Sequence, residues 1–280
     1  MRLAALVLVA LSLVSVGAAA GAAPVAPAVS FLESVQSADG GFAEQGATPD
    51  ATATAWAALA LVAGGGSQAA RSRALAFLRT HEGDVQGDTD AALQVLARSA
   101  LGDRPDALTA RLLAYRPGRL VNATIWTVLA LRQAGRPAPP AGLVGELRAR
   151  QQPSGGWSWT RGGAPDSNDT AAALEALRAA GVAGAPITRG LGYLGRCRNR
   201  DGGYGLLPSR ASDAQSTAWV VQARLAAGRK PEAAAFRFLA TLRRPDGSYR
   251  YSRRYATTPV WVTSQVVPAL ARKPFPLADT

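Results

Sequence analysis

A threonine that opens an alanine-rich apolar stretch recurs six times, and this repeat constrains the fold more than any other feature of the chain. Four copies align without gaps: Thr54-Ala-Trp56 runs to Leu61 and Gly65, Thr124-Ile-Trp126 to Leu131 and Gly135, Thr170-Ala-Ala172 to Leu177 and Gly181, and Thr217-Ala-Trp219 to Arg224 and Gly228. Two looser copies run from Thr89 to Leu96, ending at Gly102, and from Thr263 to Leu270, with Pro268 inside and Trp261 just before. The six threonines lie 35, 35, 46, 47 and 46 residues apart. A glycine at the same offset in the four gapless copies reads as a helix stop, because it takes left-handed backbone without a Cβ clash. Each stretch is preceded by another apolar-periodic one: Val29 to Val35, Ala74 to Arg79, Ala107 to Ala114, Leu143 to Arg150, Ile187 to Arg196 and Pro231 to Leu242. The unit is helix, polar turn, helix, glycine stop. The second helices carry few charges and are predicted to form a buried inner ring, with the Arg- and Glu-bearing first helices outside. Six such hairpins predict an all-α closed barrel, an (α/α)6 αα-toroid, since closure leaves no end repeat to cap.

Four of the turns share a form. They are Gln36-Ser-Ala-Asp-Gly40-Gly-Phe42, Gln151-Gln-Pro-Ser-Gly155-Gly-Trp157, Arg198-Asn-Arg-Asp-Gly202-Gly-Tyr204 and Arg243-Arg-Pro-Asp-Gly247-Ser-Tyr249. The second resembles the QxxxGxW motif of squalene and hopene cyclases, and the others keep the glycine and an aromatic. Over residues 28–272 the chain is similar to the terpene-cyclase, protein-prenyltransferase and squalene-oxidase repeat superfamily, a resemblance that implies an αα-toroid with these turns as structural staples. Residues 24–27 are then a short linker and residues 273–280 a C-terminal tail.

The resemblance also sets chemical expectations, residue by residue. In the family's DxDD motif the middle Asp protonates an alkene; here the nearest stretch is Asp166-Ser-Asn168-Asp169-Thr170-Ala171, with Asn168 at the donor place. An amide has no acidic proton to give. If the chain is a cyclase, Asp166, Asn168 and Asp169 are its candidate catalytic positions; Asp88-Thr-Asp90-Ala91 is a poorer match. The cyclases of the family also enclose substrate between two helical domains, where one is expected here. A prenyltransferase-type zinc site needs Asp, Cys and His, yet the chain has the lone His81 and the lone Cys197, in different units. Cys197 is followed by Arg-Asn-Arg, so no complement-like thioester forms, and no disulfide is available. Neither metal nor cofactor is expected.

Two sets of residues are candidates for binding. Trp56, Trp126 and Trp219 share one repeat position, with Trp261 nearby, and read either as repeated packing or as indoles lining a cavity. Asp50, Asp88, Asn122, Asp169, Asp213 and Thr257 precede the inner helices and read as N-caps. If all inner helices begin at one end, these residues ring a single mouth. Asp39, Asp201 and Asp246 read as turn formers. Asn122-Ala-Thr124 and Asn168-Asp-Thr170 are glycosylation sequons, relevant only in a glycosylating pathway.

Met1 and Arg2, the apolar run Leu3 to Val16 and the small residues to Ala23 read as an export signal, residues 1–23, with extension into an uncleaved anchor as the alternative. Apolar residues make up 48% of the 280, enough for a substantial core, and the formal charge is +12. The basic residues are nearly all Arg and are scattered, with no basic tract; nucleic acid is not an expected partner, whereas a membrane surface is. The Arg- and Tyr-rich stretch Tyr249 to Tyr255 reads as a solvated loop. The reading is an exported, non-catalytic toroid that binds a small apolar or cofactor-like molecule, or a partner protein, at its mouth. The alternatives are a divergent cyclase or prenyltransferase-like enzyme acting on an isoprenoid, a corrinoid-uptake accessory resembling the intrinsic factor toroid, and an adhesion module.

Overall fold

The structure is a computed structural model that describes residues 25–136 and 140–277. The signal segment 1–23 and residues 278–280 of the tail lie outside the described residues. Twelve α-helices are described: α1 Val25–Val35, α2 Ala51–Gly64, α3 Gln68–Thr80, α4 Asp88–Ala100, α5 Asp106–Ala114, α6 Val121–Gln133, α7 Ala141–Ala149, α8 Ser167–Ala179, α9 Ala185–Arg196, α10 Ala214–Ala226, α11 Ala233–Leu242 and α12 Pro259–Leu270. The even-numbered helices pack in ring order, α2 on α4 through to α10 on α12, and α12 returns to α2. The odd-numbered helices lie outside them, and the described residues form a closed αα-toroid. No helix among the described residues is long and apolar enough to cross a membrane.

The repeating threonine holds this architecture together locally. Its hydroxyl accepts the backbone N–H of the turn aromatic at 2.9 Å in four hairpins: Thr54 from Phe42, Thr170 from Trp157, Thr217 from Tyr204 and Thr263 from Tyr249. The bond ties the long turn to the start of the inner helix and points the aromatic into the core, where all four rings are buried. Beside it, Gln36 and Gln151 donate to the turn carbonyls of Gly40 and Gly155 and to Ala70 and Pro186 at the start of the next outer helix, at 2.8 to 3.0 Å. The turn glycines have φ near +90° and press on that neighbouring helix. A Cβ on Gly155 would lie 2.4 Å from the Arg189 carbonyl oxygen, and one on Gly247 would lie 2.1 Å from that of Pro27.

The predicted helix stops Gly65, Gly102, Gly135, Gly181 and Gly228 all have positive φ, and Arg272 takes the same conformation after α12. Caps are distributed differently from expectation. Asp50 and Asp213 do cap α2 and α10, each accepting from amides of the first turn. In α8 the cap is Asp166, whose extended backbone precedes Ser167; Asp169 therefore sits inside the first turn. Asp88 and Asn122 likewise lie within the first turns of α4 and α6, and the residue at the α12 cap position is Thr258 rather than Thr257.

Closure brings further corrections at the two chain ends. The expected linker 24–27 is helical from Val25, because α1 must reach both α12 and α2 to close the outer ring. Glu44, from the first turn, accepts the Val260 and Trp261 amides at 3.2 and 2.7 Å and so caps the last inner helix. The segment 273–277 does not trail off: Phe275 and Leu277 are buried in the end of the barrel opposite the turns.

Gly155→Ala combines left-handed strain with a backbone collision and is expected to lower stability by at least about 3 kcal/mol. Gly135→Ala, with open space around it, carries only the left-handed cost of about 1 kcal/mol. Urea unfolding of the two variants checks the difference.

Candidate functional site

All six inner helices begin at the end where the long turns lie, and their first turns surround a cavity of about 420 Å³. Its wall takes residues from every inner helix, among them Thr52, Thr89, Asn122, Asn168, Asp169 and Gln215. Its floor is aromatic. Trp56, Trp126 and Trp219 meet edge to face with ring centroids 5.3 to 5.9 Å apart, and Trp261 closes on Trp56 at 5.9 Å. Phe275 backs this cluster from below, 6.0 to 6.4 Å from the same three indoles. The recurring tryptophans thus do both things the sequence left open: they pack on one another across the lumen, and they line the cavity above.

Trp261 stands one helical turn before the position shared by the other three. Gln265 occupies that position, and its side-chain oxygen accepts from Trp219 Nε1 at 2.9 Å and Gln215 Nε2 at 2.8 Å. Gln265 stands two residues after Thr263, the same offset as the three tryptophans from their threonines, and the repeat signals it by position though not by residue type. Two rim residues, Trp159 and Leu206, carried no repeat signal and were missed; both are exposed.

Much of the wall is polar, and three of its side chains form a hydrogen-bonded arc. Asn122 Nδ2 donates to Asp169 Oδ1 at 2.7 Å, and Thr89 Oγ1 reaches Asn122 Oδ1 at 3.5 Å, so the arc links α4, α6 and α8. Asp166 caps α8 alongside. Burial pushes the Asp169 carboxyl up to about 8, helped by repulsion from Asp166 and by the hydrogen bond Asp169 makes to it, while Asn122 works in the opposite sense. Burial also raises Asp166. Burial and mutual repulsion thus favour one proton held by the Asp166 and Asp169 pair, beside an aromatic cavity.

The remaining candidates lie elsewhere. Asp50 is exposed; Asp88 is paired with Arg111 at 2.9 Å; Asp213 is buried as the α10 cap, with burial raising it to about 6. None of the three lines the cavity. His81 stacks on Phe77, its ring centroid 3.9 Å away, and the buried Cys197 contacts the Tyr193 carbonyl, with burial pushing its thiol up to about 11. Among the described residues no group of three or more His, Cys, Asp or Glu is placed to hold a metal ion. Glu175 is fully buried, raised by burial, and accepts the Phe275 amide at 2.7 Å, which fixes the plug beneath the floor.

No protein-family model and no curated protein sequence matches the chain. Solved structures do. The type II terpene cyclase MstE from Scytonema superimposes with a TM-score of 0.68 at 17% identity, over 89% of this chain and 96% of that one. The chain has a terpene-cyclase-like αα-toroid fold. A variant of MstE in complex with geranylgeranyl dihydroxybenzoate, its substrate, gives the same values. A protein from Actinoplanes gives a TM-score of 0.60 at 18% identity, over 89% of this chain and 98% of that one. A glycosidase in complex with glucose gives 0.66 at 12%, over 89% and 95%. A toroid of this size spans nearly all of MstE, so the expectation that a cyclase of this fold needs two helical domains does not hold.

The Asp169 carboxyl makes a testable contribution to stability. Its folded value lies above the ordinary one, so unfolding releases a proton between about pH 4 and about pH 8. Across that window the wild type is expected to lose stability relative to Asp169→Asn and then run parallel to it; urea midpoints at one-unit intervals measure the divergence.

Proposed function

We propose that this terpene-cyclase-like toroid is a binding protein that holds an apolar small molecule of isoprenoid character in its mouth, without transforming it. The observation that carries the reading is the cavity itself. About 420 Å³ of space over an indole floor, with one hydrogen-bonding arc, matches the form of a small-molecule site. The floor takes the apolar body, and the arc of Asn122 and Asp169 takes a hydroxyl or carbonyl. That the structurally similar MstE holds a geranylgeranyl compound supports the ligand class. Cyclisation proceeds through cationic species that must be kept from water. This mouth opens between exposed rim residues, and the position that matches the family's donor holds Asn168. The sequence of residues 1–23 supports action outside the cytoplasm.

The competing reading is a cyclase, and one feature favours it: burial raises the Asp169 carboxyl to about 8 beside an aromatic cavity. A cyclised product has the mass of its substrate, so chromatography rather than mass alone separates the readings.

Titration of the purified protein with geranylgeraniol, geranylgeranyl dihydroxybenzoate, retinol and a corrinoid, followed by tryptophan emission, is expected to show saturable quenching by the isoprenoid compounds. Trp261→Ala removes a half-buried wall residue and is expected to weaken binding about tenfold or more. Recovered ligand should elute unchanged; a new isomer that disappears in Asp169→Asn would establish the cyclase instead. Saturable quenching by the corrinoid alone would replace the isoprenoid assignment.

A further inference from the structure

Among the described residues the exposed large apolar side chains are Leu113, Leu120, Trp159, Leu206 and Tyr255, each between 39% and 52% accessible. All five lie at the mouth end. Leu113 is in the last turn of α5, Leu120 precedes α6, and the other three sit on the turns that enter α8, α10 and α12. These elements are consecutive around the rim, held there by the bonds that the Asn122, Ser167 and Ala214 amides, in the first turns of α6, α8 and α10, donate to the Trp159, Leu206 and Tyr251 carbonyls. The five side chains thus crown one arc of a single face, rather than being scattered as lone surface residues usually are.

Charge follows the same division. The turns 115–120, 150–166, 197–213 and 243–258 contain twelve arginines against four aspartates; Asp166 and Asp213 are turned inward as helix caps, and Arg150, Arg161 and Arg198 are paired with Glu146 and Glu232. The two turns on the opposite arc, 36–50 and 81–87, contain five acidic residues and neither Lys nor Arg. Arginine and apolar side chains are interleaved on the first arc, and the Arg254 guanidinium lies 5.3 Å from the centre of the Tyr255 ring.

We infer that this arc docks the mouth onto an anionic lipid surface. Aromatic and leucine side chains entering the headgroup boundary, with arginines on phosphates around them, is the pattern by which a body without a spanning helix binds a membrane interface. Arginine suits the position because its stem lies along apolar groups while its planar head meets phosphate. The acidic arc then faces away, so the molecule meets the surface tilted, with the mouth beside the bilayer. The inference goes beyond the ligand reading: vesicle partition tests the rim and ligand quenching tests the floor, and either can fail alone.

The test is partition of the full chain onto vesicles of phosphatidylglycerol, compared with phosphatidylcholine, with brominated acyl chains as a short-range quencher. Preference for phosphatidylglycerol that falls with salt is expected, together with bromolipid quenching that Trp159→Phe largely removes. Arg210→Glu with Arg253→Glu and Arg254→Glu is expected to lower partition about tenfold or more; circular dichroism confirms that these exposed changes leave the fold intact. Binding that survives the arginine changes and leaves Trp159 unquenched would overturn the inference, whatever then holds the chain on the vesicle. Absence of partition at low salt would overturn it as well.

Discussion

Everything at the mouth depends on a hydrogen bond made four times, in which a threonine hydroxyl in the first turn of an inner helix accepts the amide of the turn aromatic. The bond does more than close a loop. It fixes the inward direction of Phe42, Trp157, Tyr204 and Tyr249, and so sets the adjoining glycine hard against the next outer helix. Each hairpin is thereby oriented on its neighbour with no room for a side chain between them. Repeated round the ring, the same contact makes six marginal hairpins into one closed core. In those four hairpins it also ties the inner helix start to the long turn; α4 and α6 begin at the same end without it, and the six starts together make a mouth.

Much of this was legible because a repeat writes the same physical requirement several times. Thr54, Thr170 and Thr217 align without gaps and make the same bond, as Thr263 does in a looser copy, while Thr124 keeps the position but bonds Tyr115 Oη instead; the five glycine stops share one backbone conformation. Closure was expected from repeat number, yet the groups that effect it were not found. Glu44 caps a helix more than two hundred residues away, and Phe275 meets Glu175 at a separation of 100 residues. Such contacts occur once, between residues with no shared pattern, so periodicity carries no trace of them. The same limit explains why segments written as a linker and a tail proved to be a helix and a plug.

The candidate site divides along the same line. Its tryptophans were visible as a repeat position, whereas its polar arc was visible only as a set of caps. Asp169 was assigned a capping role because it precedes an apolar stretch, but Asp166 fills that role three residues earlier. Freed from the helix end, Asp169 turns to Asn122 across the mouth, where burial raises its carboxyl. A helix start displaced by one turn thus changes a surface cap into a buried acid. Phe275 acts on the site from the opposite side, since it fills the lumen beneath the indoles and leaves space only above them. The functional volume is defined by what the barrel is packed with as much as by its wall.

The central claim is that a ligand lies on the indole floor, within reach of the Asn122 and Asp169 arc. A crystal structure grown with a saturating isoprenoid alcohol tests it most directly. The account predicts density above Trp56 and Trp126, with the hydroxyl within hydrogen-bond distance of Asn122 or Asp169 and Phe275 still in place. Density confined to the outer surface, or a ligand that enters the lumen by displacing Phe275, would contradict it.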